Sequence, residues 1–336
     1  MQTEQEQRVK PVIEVSNLSK IFVHDIKAVD SVSFSVYEGE IFGFLGPNGA
    51  GKTTTINMLT TQMRPTTGSA LVAGCDILRQ PNQVRKRISV VPQTNTADEE
   101  LSGRENALVI ANLYGIPRKE SHHTVEAVLD LVELRDAADR LVRTYSGGMR
   151  RRLEIACGLI SRPKVLFLDE PTLGLDTQTR EAIWKYVKLL RDRVSTTVFL
   201  TTHLMEEADQ ICDRIGIIDH GKMVKVGTPN DIKSVVGGDV IELTLDIGSE
   251  EISTAISQFS ISKVDRTGSN YRIKVNDAEE AIPLIIDFLR SKGFRVKRVS
   301  LTKPSLAEAY LELTGKEFRE SDQEAVQTAR MMNLFG

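Results

Sequence analysis

The chain has 336 residues, enough for about two domains at roughly 150 residues each. Its hydrophobic content of 40% and charged content of 26% are ordinary for a soluble globular protein with a sizeable core. A net charge of −3 argues against bulk attraction to nucleic acid or acidic lipid, so we expect no nucleic-acid partner.

A glycine-rich turn at residues 46–54 follows strands predicted at residues 12–16 and 28–36, and it reads GPNGAGKTT. It fits the phosphate-loop pattern G-x-x-x-x-G-K-[ST], between a β-prone segment at residues 40–45 and a helical segment at residues 54–59. Glycines keep side chains out of the loop, so backbone N–H groups and a helix N-terminus can converge on phosphates. An ordinary glycine-rich turn is the alternative, which the filled positions and the flanking segments disfavour. The candidate nucleotide-binding residues are Gly46, Pro47, Asn48, Gly49, Ala50, Gly51, Lys52, Thr53 and Thr54.

Three side chains near this loop have more specific expected roles. Lys52 would neutralise phosphate charge, and the Thr53 hydroxyl would ligate Mg²⁺. Phe22, ahead of the loop, could stack on an adenine ring, but the local sequence favours packing at the edge of a sheet.

A change of periodicity separates two kinds of segment after the loop. Residues 69–73 and 88–93 are predicted strands, and the second leaves Gln93 at the mouth of a polar loop. Residues 101–160 then show helical periodicity, which predicts a helical lobe inserted into an α/β domain. His122 and His123 lie at a polar helix start, where a solvated face is favoured over a metal site.

Two glycines and a serine precede a helix that we predict over residues 150–160. Ser146, Gly147 and Gly148 could form an anion-binding helix N-terminus or a plain helix cap. The arginine run at residues 150–152 could be a phosphate patch, but a solvated first turn is favoured for most of it.

Two carboxylates, Asp169 and Glu170, follow an apolar strand predicted at residues 164–168. Unpaired buried charge is costly, and a metal ion with an activated water would account for both groups. Asp169 would hold Mg²⁺, and Glu170 would polarise the attacking water, whereas capping of the next turn is the alternative. A further strand at residues 198–203 delivers His203 to the ligand crevice of an open α/β sheet. Residues 215–226 are a predicted hairpin.

In this order, the motifs resemble those of the nucleotide-binding subunit of ATP-binding cassette (ABC) transporters, over roughly residues 12–230. GPNGAGKTT resembles Walker A, Gln93 the Q-loop, YSGGM the signature, VLFLDE Walker B, Asp176 the D-loop and His203 the H-loop. The signature departs from LSGGQ at Tyr145 and Met149. The resemblance also implies that Phe22 stacks on adenine, although the family more often has tyrosine there.

The resemblance implies an ATPase that uses Mg²⁺ and works as a head-to-tail homodimer. ATP would lie between the phosphate loop of one copy and Ser146, Gly147 and Gly148 of the other. Lys52, Gln93, Glu170 and His203 would be catalytic, and Thr53, Gln93 and Asp169 would surround the metal. His203 would contact the γ-phosphate, and Asp176 would couple the two sites.

The stretches GRENALVIANLYGIP and YSGGMRRRLEIA are similar to the drug-export subfamily typified by the daunorubicin-resistance ATPases. In such systems a separate permease spans the membrane, and the cargo is a drug, lipid or polysaccharide. We expect a chain on the cytoplasmic face of the membrane, because it lacks an apolar run of about 18 residues and a signal peptide. Its scattered Cys75, Cys157 and Cys212 fit a reducing compartment.

Two other functions are disfavoured by the sequence. A soluble ABC-type ATPase of DNA repair, chromosome structure or translation is disfavoured, because no long insertion separates Lys52 from Ser146 and no second phosphate loop occurs. A non-catalytic cassette is disfavoured because Lys52, Asp169, Glu170 and His203 are intact.

The predicted fold is an α/β P-loop NTPase domain of the ABC type with an inserted helical subdomain, followed by a small α+β domain. We place the nucleotide-binding domain at residues 12–236, its helical subdomain at about 94–162, and tails at 1–11 and 317–336. Residues 237–316 would form a ferredoxin-like β-α-β-β-α-β domain that supports dimerisation or regulation. Its elements are predicted at residues 240–247, 249–259, 261–265, 271–275, 278–292 and 294–301.

Overall fold

The computed structural model describes residues 11–194, 196–246, 252, 261–275 and 277–315. The chain divides into two compact units, and the second begins at Pro229. The predicted domain limits, with a boundary at residues 236 and 237, stay predictions. The predicted tail at residues 317–336 lies outside the described residues.

The first unit contains two sheets. Their strands are β1 Pro11–Ile21, β2 Lys27–Tyr37, β3 Ile41–Leu45, β4 Thr67–Val72, β5 Cys75–Asp76, β6 Ile88–Val91, β7 Val165–Asp169, β8 Thr197–Thr202, β9 Arg214–Asp219 and β10 Lys222–Gly227. An antiparallel sheet has the strand order β2-β1-β4-β5, and a six-stranded sheet has the order β10-β9-β3-β8-β7-β6. In the six-stranded sheet all neighbouring strands are parallel except the edge pair β9 and β10.

Seven α-helices accompany these sheets in the described part of the unit. They are α1 Lys52–Leu59, α2 Pro81–Arg85, α3 Gly103–Leu113, α4 Arg118–Leu131, α5 Gly147–Leu159, α6 Thr177–Val194 and α7 Met205–Ile211. Strands β3, β7 and β8 are buried along their whole length, which explains why each of them carries apolar residues on both faces of the sheet.

An aromatic cluster fills the space between the two sheets. Phe34 of the antiparallel sheet stacks on Phe42 of β3, with ring centroids 5.6 Å apart. Phe199 of β8 packs against both rings and against Phe167 of β7. Each buried phenyl ring contributes about 1.5–3 kcal/mol through removal of apolar surface from water. This core fixes the three strands, β3, β7 and β8, whose ends carry the candidate site.

The helical lobe predicted from periodicity is confirmed. Helices α3, α4 and α5 pack against one another. Helix α3 begins with a capping box, in which the Ser102 side chain accepts from the Glu105 backbone and Glu105 accepts from the Ser102 backbone. His122 and His123 are exposed on α4, as expected for a solvated face.

The second unit is built from α8 Pro229–Lys233, β11 Asp239–Leu245, β12 Ile261–Thr267, β13 Asn270–Val275, α9 Ala278–Ser291, β14 Val296–Thr302 and α10 Leu306–Thr314. Its strands form an antiparallel sheet with the order β12-β13-β11-β14. This order and the helix between β13 and β14 confirm the α+β prediction, whereas the helix predicted at residues 249–259 lies outside the described residues except at position 252. Ile285 and Leu289 are buried in the core cluster of this unit.

Within the described ranges, none of the helices combines the length and apolar character that a membrane span requires.

Candidate functional site

The carboxyl ends of three neighbouring parallel strands form one edge of the six-stranded sheet. Strand β3 ends just before Gly46, β7 ends at Asp169, and β8 ends just before His203. The register pairs Leu45 with Thr202, and Asp169 with Thr201. Side chains from distant parts of the sequence therefore meet at the edge where open α/β sheets bind ligands.

Two glycines of the loop after β3 are required by their surroundings. A Cβ atom at Gly46 would overlap the carbonyl oxygen of Ile218, and one at Gly51 would overlap that of Ala28. Gly51 also has a φ of 105°, a conformation that side chains rarely adopt, and it is the N-cap residue of α1. The loop is therefore a backbone-lined cradle that leads into a helix N-terminus.

Lys52 is only 5% exposed and lies against this cradle. Its Nζ atom donates to the carbonyl oxygens of Gly46 at 2.8 Å and Pro47 at 3.1 Å. It also forms an ion pair with Glu170, at 3.1 Å from Oε1. A fixed positive charge thus lies between the loop and the end of β7.

Asp169 and Glu170 are organised by one hydroxyl group of the neighbouring strand. The Thr201 hydroxyl donates to Asp169 Oδ1 at 2.6 Å and accepts from the Glu170 backbone N–H at 2.9 Å. The Thr53 hydroxyl also donates to Asp169 Oδ1, at 3.3 Å. Sequence reasoning missed Thr201, although a threonine that ends an apolar strand beside the strand of Asp169 was the available signal.

Glu170 has charged and polar neighbours on both carboxylate oxygens. Oε2 lies 3.1 Å from Nδ1 of His203, and Oε1 contacts Lys52. Burial favours the neutral carboxyl, but the hydrogen bond to His203 and the charge of Lys52 outweigh it and hold the pKa of Glu170 below its usual value. The backbone φ of Glu170 is 43°, an uncommon value for a residue other than glycine, and such conformations cluster at functional sites.

The donor atoms beside the cradle fit a magnesium ion. Mg²⁺ prefers oxygen ligands, usually one or two protein groups together with substrate phosphates and water. The Thr53 hydroxyl and the Asp169 carboxylate supply such oxygens at adjacent positions. Among the described residues no group of three or more His, Cys, Asp or Glu side chains forms a dedicated metal cage, so any ion here would depend on phosphate and water.

Three predicted site residues, Gln93, Phe22 and Asp176, lie outside this hydrogen-bonded cluster in the described part of the chain. Gln93 is exposed on the loop after β6. Phe22 is partly exposed after β1, with Lys20 Nζ 5.3 Å from its ring centroid, so adenine stacking and edge packing both stay open. Asp176 is exposed and accepts from the backbone N–H and the hydroxyl of Thr179.

The signature segment caps helix α5. The Ser146 side chain accepts from the Met149 N–H at 3.3 Å, so α5 begins at Gly147 and not at the predicted residue 150. Tyr145, which departs from the usual leucine, donates its hydroxyl to the carbonyl oxygen of Ala137 at 2.7 Å. Ser146 and Gly147 are exposed at the helix N-terminus.

The arginine run at residues 150–152 is expected from the sequence to be mostly solvent-exposed. That prediction is wrong for Arg151, which is 4% exposed. Its partner Glu154 is equally buried, and sequence reasoning did not single it out. No local signal distinguishes these two residues from solvent-facing charges on the helix.

Family comparisons agree with this arrangement. A model described as "ABC transporter" matches residues 29–173, and one described as "ATP-binding protein DrrA1-3-like, C-terminal domain" matches residues 227–314. The daunorubicin/doxorubicin resistance ATP-binding protein DrrA of Streptomyces peucetius is 40% identical over 308 residues, 90% of this chain and 92% of that protein. The Nod factor export ATP-binding protein I of Sinorhizobium fredii is 37% identical, over 92% of this chain and 87% of that protein.

Solved structures show the same fold. An ATP-binding subunit of an ABC transporter is 28% identical, with a TM-score of 0.60, over 67% of this chain and 93% of that chain. A bacterial ABC transporter cassette solved as a dimer is 25% identical, with a TM-score of 0.59, over 64% of this chain and 98% of that chain. The chain therefore belongs to the family of ABC transporter ATP-binding proteins, in the daunorubicin-resistance subfamily, and is an ATPase.

Proposed function

We propose that this ATPase works as a homodimer, in which two copies meet head-to-tail and bind magnesium and ATP at each of two seams. The observation that carries the proposal is the cluster of Lys52, Glu170 and His203 beside the Thr53 and Asp169 oxygens. In this cluster the Lys52 ammonium group can bind phosphate, the Thr53 and Asp169 oxygens can bind a metal ion, and the Glu170 carboxylate can accept a proton from water. The dimeric cassette among the structural relatives supports the same arrangement.

The role of each side chain follows from its contacts. Lys52 neutralises charge on the β- and γ-phosphates, because its ammonium group already lies against the loop that would hold them. Glu170 polarises the attacking water, because its carboxylate is ionised and lies beside the loop that would hold the phosphates. His203 orients the Glu170 carboxylate through Nδ1 and contacts the γ-phosphate.

The metal site is made by residues from two elements. Thr53 on α1 and Asp169 at the end of β7 would hold Mg²⁺, with Gln93 as a further ligand supplied by its loop. The ion would neutralise charge on the phosphate oxygens during transfer. Thr201 keeps Asp169 and the backbone of Glu170 in fixed positions beside it.

The second half of each seam comes from the other copy. The first N–H groups of an α-helix lack intrahelical partners and attract anions. Ser146 and Gly147 are exposed at the start of α5, so a second copy can present this helix N-terminus to the γ-phosphate. Closure of the two copies would exclude water and position the nucleophile, and Asp176 would couple the two sites.

The ATPase would power a separate permease. The daunorubicin/doxorubicin resistance protein and the Nod factor export protein are both named ATP-binding proteins, and both match over nearly the whole chain. We therefore propose a place on the cytoplasmic face of the membrane, bound to a permease, and a role in export. Because the cargoes in those names differ, we assign the choice among drugs, lipids and polysaccharides to the permease.

The substitution Glu170→Gln tests the mechanism. We expect ATP turnover, measured as phosphate release, to fall about 10²- to 10⁴-fold, because the general base is lost. ATP-dependent dimerisation, followed by light scattering, should persist. Glu181→Gln, on the exposed face of α6, is the matched control and should behave like the parent. Parent-like turnover in Glu170→Gln, or a protein that stays monomeric with ATP, would contradict the proposal.

A further inference from the structure

Helix α5 carries an ion pair that the mechanism above does not use. Arg151 and Glu154 lie one turn apart, and Nη1 of Arg151 is 2.9 Å from Oε2 of Glu154. Both residues are 4% exposed. Removing two charges from water is costly, and apolar residues of similar size often give equal or greater stability. The pair therefore needs an explanation other than stability.

Two nitrogen atoms of the Arg151 guanidinium donate to the backbone of the residues that precede and follow Glu170. Nη2 donates to the carbonyl oxygen of Asp169 at 3.2 Å, and Nε donates to that of Pro171 at 2.8 Å. The planar, five-donor group of arginine is suited to this, because it bonds several acceptors in a fixed geometry. The Arg151 side chain therefore holds the turn that carries the Glu170 carboxylate, through one hydrogen bond on each side of Glu170 in the sequence.

The other side of the pair holds the loop of Gln93 at both ends. Nη1 of Arg151 also donates to the carbonyl oxygen of Pro92 at 2.7 Å. Oε1 of Glu154 accepts from the backbone N–H of Thr96 at 2.7 Å. Gln93 lies between these two bonded positions. The Arg151–Glu154 pair therefore fixes the backbone of the Gln93 loop at Pro92 and at Thr96.

We propose that Arg151 and Glu154 are positioning residues that tie the start of α5 to Glu170 and to Gln93 at the same time. Neither residue touches the reacting atoms. Their backbone bonds make the signature helix, the turn of Glu170 and the loop of Gln93 move as one body. A displacement of α5 would therefore shift both groups together. This inference rests on the roles proposed above for Glu170 and Gln93.

The test uses the full-length protein with the double substitution Arg151→Met/Glu154→Leu. Removing both charges leaves no unpaired buried ion, but the Thr96 N–H and three backbone carbonyl groups lose their partners. We therefore expect the unfolding temperature to fall by roughly 5–15 °C, with the protein still folded at 25 °C. We expect kcat for ATP to fall about 10- to 100-fold through misplacement of Glu170, while KM changes less than about threefold because the phosphate loop is intact. If the pair served only stability, the unfolding temperature would fall but kcat at 25 °C would match that of the parent.

Hydrogen–deuterium exchange supplies a readout that does not depend on hydrolysis. The backbone N–H groups of residues 93–97 and of the non-proline residues in 169–173 should exchange about tenfold faster in the double variant, since bonds that hold both segments are lost. Arg152→Met is the matched control on the same helix. Its guanidinium bonds the Val132 carbonyl and the Tyr186 hydroxyl, so both segments and kcat should match the parent.

A second variant covers a failure of the double variant to fold. Arg151→Lys keeps the charge beside Glu154 but lacks the planar group that reaches both sets of carbonyls, and it should show the same losses. Parent-like kcat in Arg151→Lys, or unchanged exchange in either segment, would overturn the proposal. Parent-like turnover in Glu170→Gln would refute the proposed mechanism, whereas the exchange data would still decide whether the pair holds the two segments.

Discussion

Thr201 offers the sharpest test of how the two carboxylates are held. Its side chain is fully buried at the end of β8, and its hydroxyl bonds the Asp169 carboxylate at 2.6 Å and the Glu170 N–H at 2.9 Å. Thr201→Val keeps the shape of the side chain and removes only this hydroxyl. The substitution therefore isolates two hydrogen bonds without opening a cavity.

The expected loss can be worked out from these two bonds. A hydrogen bond to a charged acceptor contributes about 1.5–3 kcal/mol, and a buried N–H left without an acceptor costs about 1–3 kcal/mol. We expect the free energy of unfolding to fall by about 3 kcal/mol. At roughly 2–4 °C per kcal/mol for a unit of this size, the unfolding temperature should fall by about 6–12 °C. Turnover should also fall, because the bond to Thr201 helps to hold Glu170 in its left-handed conformation.

The assays are urea denaturation and steady-state phosphate release, with Thr60→Val as the matched control. Thr60 is also buried, but its hydroxyl donates to the Ile56 carbonyl, which already accepts the Thr60 backbone N–H. That control should lose little stability and keep parent turnover. The reasoning is refuted if Thr201→Val unfolds and turns over like the parent, or loses no more than Thr60→Val.

Two further substitutions test packing and charge near the site. Burial raises the pKa of Glu207, outweighing the hydroxyl groups of Thr172 and Thr202 that bond it. The stability that Glu207 contributes should therefore fall as pH rises from about 4 through its raised pKa. Glu207→Gln should flatten this dependence in urea denaturation, and a parent-like slope would contradict the expectation. A Cβ at Gly148 would overlap the Thr179 methyl group, so Gly148→Ala should lower the free energy of unfolding by about 1–3 kcal/mol. Adding Thr179→Ser should recover most of that loss, and no recovery would count against the packing argument.

Local signals predicted most of the fold. Apolar runs located β3, β7 and β8, and the glycine pattern located the turn that leads into α1. These features depend on neighbouring residues in the sequence, so they can be recognised without a structure. Helix α10 also has such a signal, because Ser305 and Glu308 form a capping box, but it was not predicted.

The supporting residues of the site could not be predicted in the same way. The Thr201–Asp169 bond exists because β7 and β8 pair in one parallel register. Arg151 is buried because α5 packs over the end of β7 and the loop after β6, whose carbonyl groups receive its donors. A charged residue in an amphipathic helix otherwise indicates a solvent-facing position. Only the tertiary arrangement distinguishes the two cases.

Tyr145 has a consequence for how the helical lobe can vary among related sequences. Its hydroxyl, bonded to the Ala137 carbonyl, occupies the space that any side chain at Gly103 would need. The two positions are therefore linked by volume. A leucine at position 145 would make room for a larger residue at 103, but would leave the Ala137 carbonyl in need of a new donor. The tyrosine that replaces the leucine of the common LSGGQ pattern therefore requires glycine at position 103.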